Sequence, residues 1–202
     1  MRDYQLGFID NQTIFDHVRQ TVELYRTHIS LREFNKNIID PIKLTFDAKV
    51  YGKTLDEIIE SESIRQIDKT NTNHIGYFHQ NLFRYAGNGW EVPETGFDVV
   101  NEERHIFAYM VDFKNVPLYK LSRLQLQMNN KLLHDNESRC YIIDINNAGT
   151  FDDEWVMSND DCALAHPRLR IASIKSFYDI VFGENSYDKL CKALPCILED
   201  IA

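Results

Sequence analysis

Apolar residues in the first third of the chain recur at helical spacing. Ile14, Phe15, Val18, Val22, Tyr25 and Ile29 predict an amphipathic helix over about residues 12–34. Asp40-Pro41, a cap followed by a first-turn proline, predicts a short helix through Phe46. Thr54-Leu55-Asp56-Glu57 is a capping box that opens a third helix. Asn73 is placed to cap a fourth, over 74–86, which Gly87 stops. The character then changes. Gly87-Asn88-Gly89 and Pro93 punctuate a loop, and two strands follow, over 96–100 and 106–115. Leu121, Leu124, Met128 and Leu132 form the apolar stripe of a helix over 119–134, and residues 140–145 read as a short buried strand. A last strand is expected over 168–171, and closing helices over 173–182 and 186–200, parted by Gly183. A hairpin, a helix and a further strand predict an α/β (α+β) fold, a mixed central sheet flanked by helices. A single domain is expected over 1–202, with 1–86 mainly helical, 96–172 bearing the sheet, and 173–202 forming the C-terminal helices.

Composition narrows the class without naming it. Apolar residues at 44% and charged residues at 26% are those of a soluble globular chain. No run approaches the length of a membrane span, and the first residues lack the apolar core of a signal peptide, so a cytoplasmic location with no membrane partner is expected. Cys140, Cys162, Cys191 and Cys196 form no CxxC pair and no spaced ligand set with histidine. Reduced, mostly buried thiols and no zinc site are expected. The net charge of −9 argues against a protein that coats nucleic acid by bulk charge. An acidic chain that grips DNA needs a local basic or amide-rich cleft.

The chemistry sits on the two middle strands. Side chains alternate along a strand, so Asp112 and Lys114 are expected on one face, roughly 6.5–7 Å apart, with Phe113 on the other. Asp98 on the preceding strand can reach the same place. Two carboxylates and an ammonium at the end of an apolar sheet supply hard oxygen ligands and a cation beside a scissile phosphate, as Mg²⁺-dependent phosphodiester hydrolysis requires. Taken alone, Asp-x-Lys also fits a solvated strand face.

Asp98 followed by Asp112-Phe113-Lys114 resembles the PD-(D/E)XK nuclease core, the restriction-endonuclease-like fold. Further segments resemble the small family of type II restriction endonucleases that cut GGNCC-type sites. They are residues 39–47, 73–83, 89–93 and 96–101, the helical stretch Gln127 to Leu132, and the run 190–195. The likeness extends from about residue 35 to the end, in order. Two departures stand out: the family more often has Glu where this chain has Asp112, and Val116-Pro117-Leu118-Tyr119-Lys120 is shorter and more apolar than the family's Ser-rich stretch.

The resemblance implies a type II site-specific deoxyribonuclease of a restriction-modification system, cutting both strands of a short palindrome with Mg²⁺. Asp98, Asp112 and Lys114 are the implied catalytic residues, with Asp98, Asp112 and the carbonyl of Phe113 as metal ligands and Lys114 positioning the attacking water. Gln80 and His79 are candidate cleft residues, His79 reading as structural before catalytic. Asn115, Lys120, Arg123, Gln125, Gln127, Asn129 and Lys131 are candidate DNA contacts, since Arg and Lys suit guanine and Asn and Gln suit adenine. Glu60 and Glu62 read as a solvated helical face, and the acidic run 152–154 as a solvated loop rather than a cation site. Two-fold symmetry of the site implies a homodimer on double-stranded DNA. A cytosine methyltransferase would be a genetic partner. The rivals are a PD-(D/E)XK repair nuclease without sequence specificity and a catalytically inactive DNA-binding protein.

Overall fold

A computed structural model describes residues 2–37, 39–156 and 166–202. The chain divides into two compact units, one of Met1–Arg19 with Phe78–Ala202 and one of Gln20–Tyr77.

The larger unit holds a six-stranded mixed sheet in the order β1-β2-β3-β4-β6-β5. Its strands are β1 (Trp90–Glu91), β2 (Val99–Asn101), β3 (Ile106–Val111), β4 (Arg139–Asp144), β5 (Asp152–Glu154) and β6 (Leu169–Ser173). β2 and β3 pair antiparallel, whereas β3, β4 and β6 are parallel neighbours. A parallel neighbour requires a crossover. The helix α5 (Leu118–His134) supplies it between β3 and β4. Both central strands are apolar on both faces because helices cover both. Ile106 and Ala108 of β3 join Tyr141 and Ile143 of β4 in a core that also includes Phe177, Tyr178 and Leu190. Those last residues come from α6 (Ile174–Phe182) and α7 (Ser186–Ile201). Phe107, Tyr109 and Val111 face the other way, packing with Leu124, Met128 and Leu132 of α5.

The smaller unit is helical. It contains the end of α1 (Asn11–Leu24), then α2 (Leu31–Phe34), α3 (Pro41–Tyr51) and most of α4 (Leu55–Leu82). Asp40 caps α3 through the Ile42 amide, as its sequence predicts, and the helix continues past Phe46 to Tyr51. The Thr54 capping box forms: Thr54 N–H donates to Glu57 Oε2 at 2.7 Å, and Glu57 N–H donates to Thr54 Oγ1 at 3.3 Å.

Several expectations are corrected. The helix over 12–34 stops at Leu24, because the Asn71 side chain takes both backbone groups of Arg26. The third and fourth helices are one, α4, which runs through Asn73 without a break. The loop after Gly87 contains β1, and the acidic run 152–154 is the exposed edge strand β5. Cys140 is buried but Cys191 is exposed and Cys196 half-buried, against mostly buried thiols, while Cys162 lies outside the described residues. Among the described residues no helix is long and apolar enough to cross a membrane.

Candidate active site

Asp98 sits where the alternation of its strand slips. Strict alternation would put Phe97 and Val99 on one face. Instead Phe97 stacks on Tyr109 at 4.5 Å between centroids, beside the α5 core, while Val99 enters the opposite core. The Asp98 N–H still donates to the Ala108 carbonyl at 2.9 Å, so the residue is fixed at the start of the β2–β3 ladder. Its Oδ2 accepts the Met110 N–H at 2.7 Å. Burial pushes the Asp98 carboxyl above the usual range, against the pull of that amide and of the nearby Lys120 charge.

Asp112 is not on a strand. The strand β3 ends at Val111, and the chain turns through Asp112-Phe113-Lys114-Asn115. The Asn115 and Val116 amides donate to the Asp112 carbonyl at 3.1 and 2.9 Å. The carboxylate closes the same turn. Oδ1 accepts the Lys114 N–H at 3.1 Å and Oδ2 accepts Asn115 Nδ2 at 2.6 Å. Asp favours such a self-bonded turn over continued strand. Burial opposes ionisation of Asp112, but donors from Asn115, Asn146 and the Lys114 and Asn115 amides outweigh it and hold the carboxyl below its usual range. The expected shared strand face of Asp112 and Lys114 is thereby replaced by a turn. Lys114 is exposed and its ammonium has no carboxylate partner among the described residues. Phe113 packs partly buried against the α5 core.

The two carboxylates come from neighbouring places. Asp98 rests on Met110, and Asp112 lies two residues further along, about 6–7 Å of extended chain. Gln80 joins them, donating from Nε2 to the Asp98 carbonyl at 3.3 Å. His79, next on the helix, turns elsewhere: its Nδ1 lies 2.8 Å from Tyr178 Oη, and burial, with the His17 charge adding, pushes it down to about 4. His74 is half-buried and Tyr77 exposed on α4, whereas Phe78 enters the core. Glu60 is exposed, and Glu62 is engaged by Arg65 and Gln66.

The polar residues of α5 divide. Lys120, Arg123, Gln127 and Lys131 fall on one stripe of the helix. Lys120 acts on Asp98 and Arg123 on Tyr109, and Tyr109 Oη donates to Gln127 Oε1 at 3.0 Å. Lys131 lies 3.9 Å from the Phe107 ring centroid and near Glu102 and Asp135. Phe107 is near the start of β3, so Lys131 sits away from the acidic end. Gln125 is buried, and Asn129 half-buried. Asn115, expected to face DNA, is turned onto Asp112. Asn146 is a contact that the sequence reading missed. Ile145 N–H donates to the Val111 carbonyl at 3.0 Å, which brings the end of β4 beside the Asp112 turn, and only the parallel pairing reveals this.

Among the described residues no three His, Cys, Asp or Glu side chains converge as a metal cluster. Two carboxylates and a backbone carbonyl still fit Mg²⁺, which is commonly held by one or two carboxylates and completed by water and substrate phosphate. Asp98 Oδ1 accepts no hydrogen bond among the described residues.

An antiparallel strand pair continued through a crossover helix into a parallel strand makes a restriction-endonuclease-like α/β sheet, and the protein is a type II restriction endonuclease, a nuclease. The chain belongs to the family described as Eco47II restriction endonuclease, which matches residues 6–202. It is 27% identical to the type II restriction enzyme Sau96I of Staphylococcus aureus over 217 residues, covering 99% of this chain and 82% of that enzyme. It is likewise 27% identical to the type II restriction enzyme Eco47II of Escherichia coli over 212 residues, covering 97% and 87%. No solved structure matches the chain.

Proposed function

We propose that the protein makes Mg²⁺-dependent double-strand cuts in a short palindromic GGNCC-like site, as a homodimer and as the restriction half of a restriction-modification system. A cytosine methyltransferase protects the host's own sites and need not touch this chain. The observation that carries the chemistry is the seating of Asp98 on the Met110 amide, two residues before Asp112, in a chain whose family match covers residues 6–202.

Asp98, Asp112 and the Phe113 carbonyl hold the ion, which when bound polarises the scissile phosphate and lowers the pKa of its water. The protein's own groups do the rest. The Asp112 turn keeps one carboxylate ionised without the ion present. Lys114, exposed beside it, orients the attacking water and balances charge developing on the phosphate. Gln80 fixes the Asp98 backbone, and Lys120, Arg123 and Gln127 line the side from which DNA reaches the two acids.

Purified protein is tested on unmethylated phage-length DNA with Mg²⁺, beside EDTA, Asp112→Ala and Lys114→Ala controls. Discrete fragments from the unsubstituted protein, absent in all three controls, are expected, and their sequenced ends name the site. Nicks or trimmed ends without discrete fragments overturn the site-specific reading in favour of a repair-type nuclease. Intact DNA throughout overturns the cleavage reading.

A further inference from the structure

The whole chain is acidic, yet its charge is not spread evenly. The helical unit, Gln20–Tyr77, carries eight Lys and Arg against nine Asp and Glu, so nearly all of the net −9 belongs to the sheet-bearing unit. Within the helical unit lies a cleft of about 330 Å³. One wall is α4, where Arg65, Lys69 and Asn73 follow at i, i+4 and i+8 and so form a single ridge of donors. The other wall is the segment around α2, with Arg26, Lys36 and Asn37.

Side-chain clamps preform this cleft. Asn71 bonds the Arg26 amide and carbonyl at 2.9 and 3.0 Å, and Asn37 Nδ2 donates to the Oε1 of the buried Gln66 at 2.8 Å. Both tie the second wall to α4. Two of the four cations are already matched, Arg26 by Glu33 at 2.9 Å and Arg65 by Glu62. Lys36 and Lys69 are not. Both are exposed, and neither has a carboxylate partner among the described residues. The cleft therefore offers two unmatched ammonium groups, with the Asn73 amide also in its lining, in a preformed frame. That is the donor set of an anion site, and an acidic nuclease needs such a local grip on its polyanionic substrate.

We infer that this cleft binds backbone phosphate of the DNA substrate through Lys36 and Lys69. The inference rests on the nuclease reading and adds a second point of contact, one that positions DNA without reading its bases. Each phosphate contact releases counterions and contributes about −0.9 to the slope of log affinity against log salt.

The test compares unsubstituted protein, the double variant Lys36→Ala/Lys69→Ala, the double variant Lys36→Arg/Lys69→Arg, and a charge-matched control, Lys189→Ala/Lys192→Ala on α7. DNA affinity is read by fluorescence anisotropy from 50 to 200 mM salt, and cleavage with Mg²⁺ on the same preparations. The alanine pair is expected to flatten the salt slope by about 1.8 and to weaken binding about ten-fold at the low-salt end, equally for cognate and unrelated duplexes. The arginine pair restores affinity, which a folding defect would not allow, and the α7 control keeps its slope. An alanine pair with an unchanged slope, in protein that still cuts, overturns the cleft and leaves the nuclease reading intact. An equal loss in the α7 control also overturns it, because net charge alone then explains the effect. Stabilisation by inorganic phosphate that depends on Lys36 and Lys69, with an unaltered DNA slope, identifies a free-anion site and overturns the DNA assignment. Unsubstituted protein that neither binds nor cuts DNA overturns both readings together.

Discussion

Asp98 and Asp112 are shifted in opposite directions from the ordinary carboxylate, one up by burial and the other down by its hydrogen-bond donors. Asp98 is half-buried with one amide donor, and desolvation holds its proton more tightly than in the unfolded chain. A carboxyl whose folded pKa is raised contributes stability below its unfolded value, and loses that contribution as pH rises through the folded value. Ionised Asp98 thus costs stability at neutral pH. Asp98→Asn keeps an oxygen for the Met110 amide and removes the charge. It is expected to abolish cleavage yet raise the melting temperature at pH 8, with the gain vanishing near pH 4. A lower melting temperature at pH 8 would show that the carboxylate is held by more than burial and one amide. Asp112 obeys the reverse logic: its short arm lets the carboxylate accept the amide two residues on, in its own turn. The longer arm of Glu would not close that turn in the same way. Asp112→Glu is therefore expected to lower activity, measured as the cleavage rate at fixed Mg²⁺.

At the scale of elements, capping chemistry was legible and long-range bonds were not. Asp40, Thr54 and Gly87 mark their boundaries because each acts on its own neighbourhood. The end of α1 at Leu24 is set by Asn71, forty-five residues beyond Arg26, and no local pattern announces it. Asn73 is a good cap only where the chain before it is not helical, and α4 arrives there already formed. The geometry of the Asp-x-Lys run was not legible, since apolar alternation through Phe113 hides the turn that the Asp112 carbonyl and carboxylate close. Ser173 shows how much a single cap can hold. Its Oγ, fully buried, accepts the Ser176 amide at 3.0 Å and meets Ser176 Oγ at 3.0 Å, while Ser176 Oγ accepts the Phe151 amide. Ser173→Ala is expected to cost about 1–2 kcal/mol, and thus several degrees of melting temperature, without changing the metal dependence of cleavage. A thermal melt within error of the unsubstituted protein would show the cap to be dispensable.

Over the whole molecule, acid lability is expected from two desolvated histidines, His17 buried and His79 half-buried. His79 is pushed down to about 4 by burial, and His17 is lowered by burial and by the Arg84 charge, although its bond to the Phe78 carbonyl opposes this. Unfolded histidine titrates near 6.5 and so binds more protons than the folded state between these values. The stability that His79 contributes by staying neutral is complete above about pH 6.5 and is lost as pH falls toward 4. His79→Gln, which can still bond Tyr178, is expected to flatten that slope in thermal melts. An unaltered slope would place the acid lability in other groups. The sheet's two margins carry a different consequence. One is closed by β1, two residues long, and the other by β5, whose Asp152-Asp153-Glu154 is exposed and wholly acidic. Neither is a template on which a second chain can add a strand, since one offers almost no backbone and the other repels its own copy. A second copy of this chain is therefore not expected to extend one sheet into the next, and the same two margins guard a concentrated solution of the protein against fibrous aggregation.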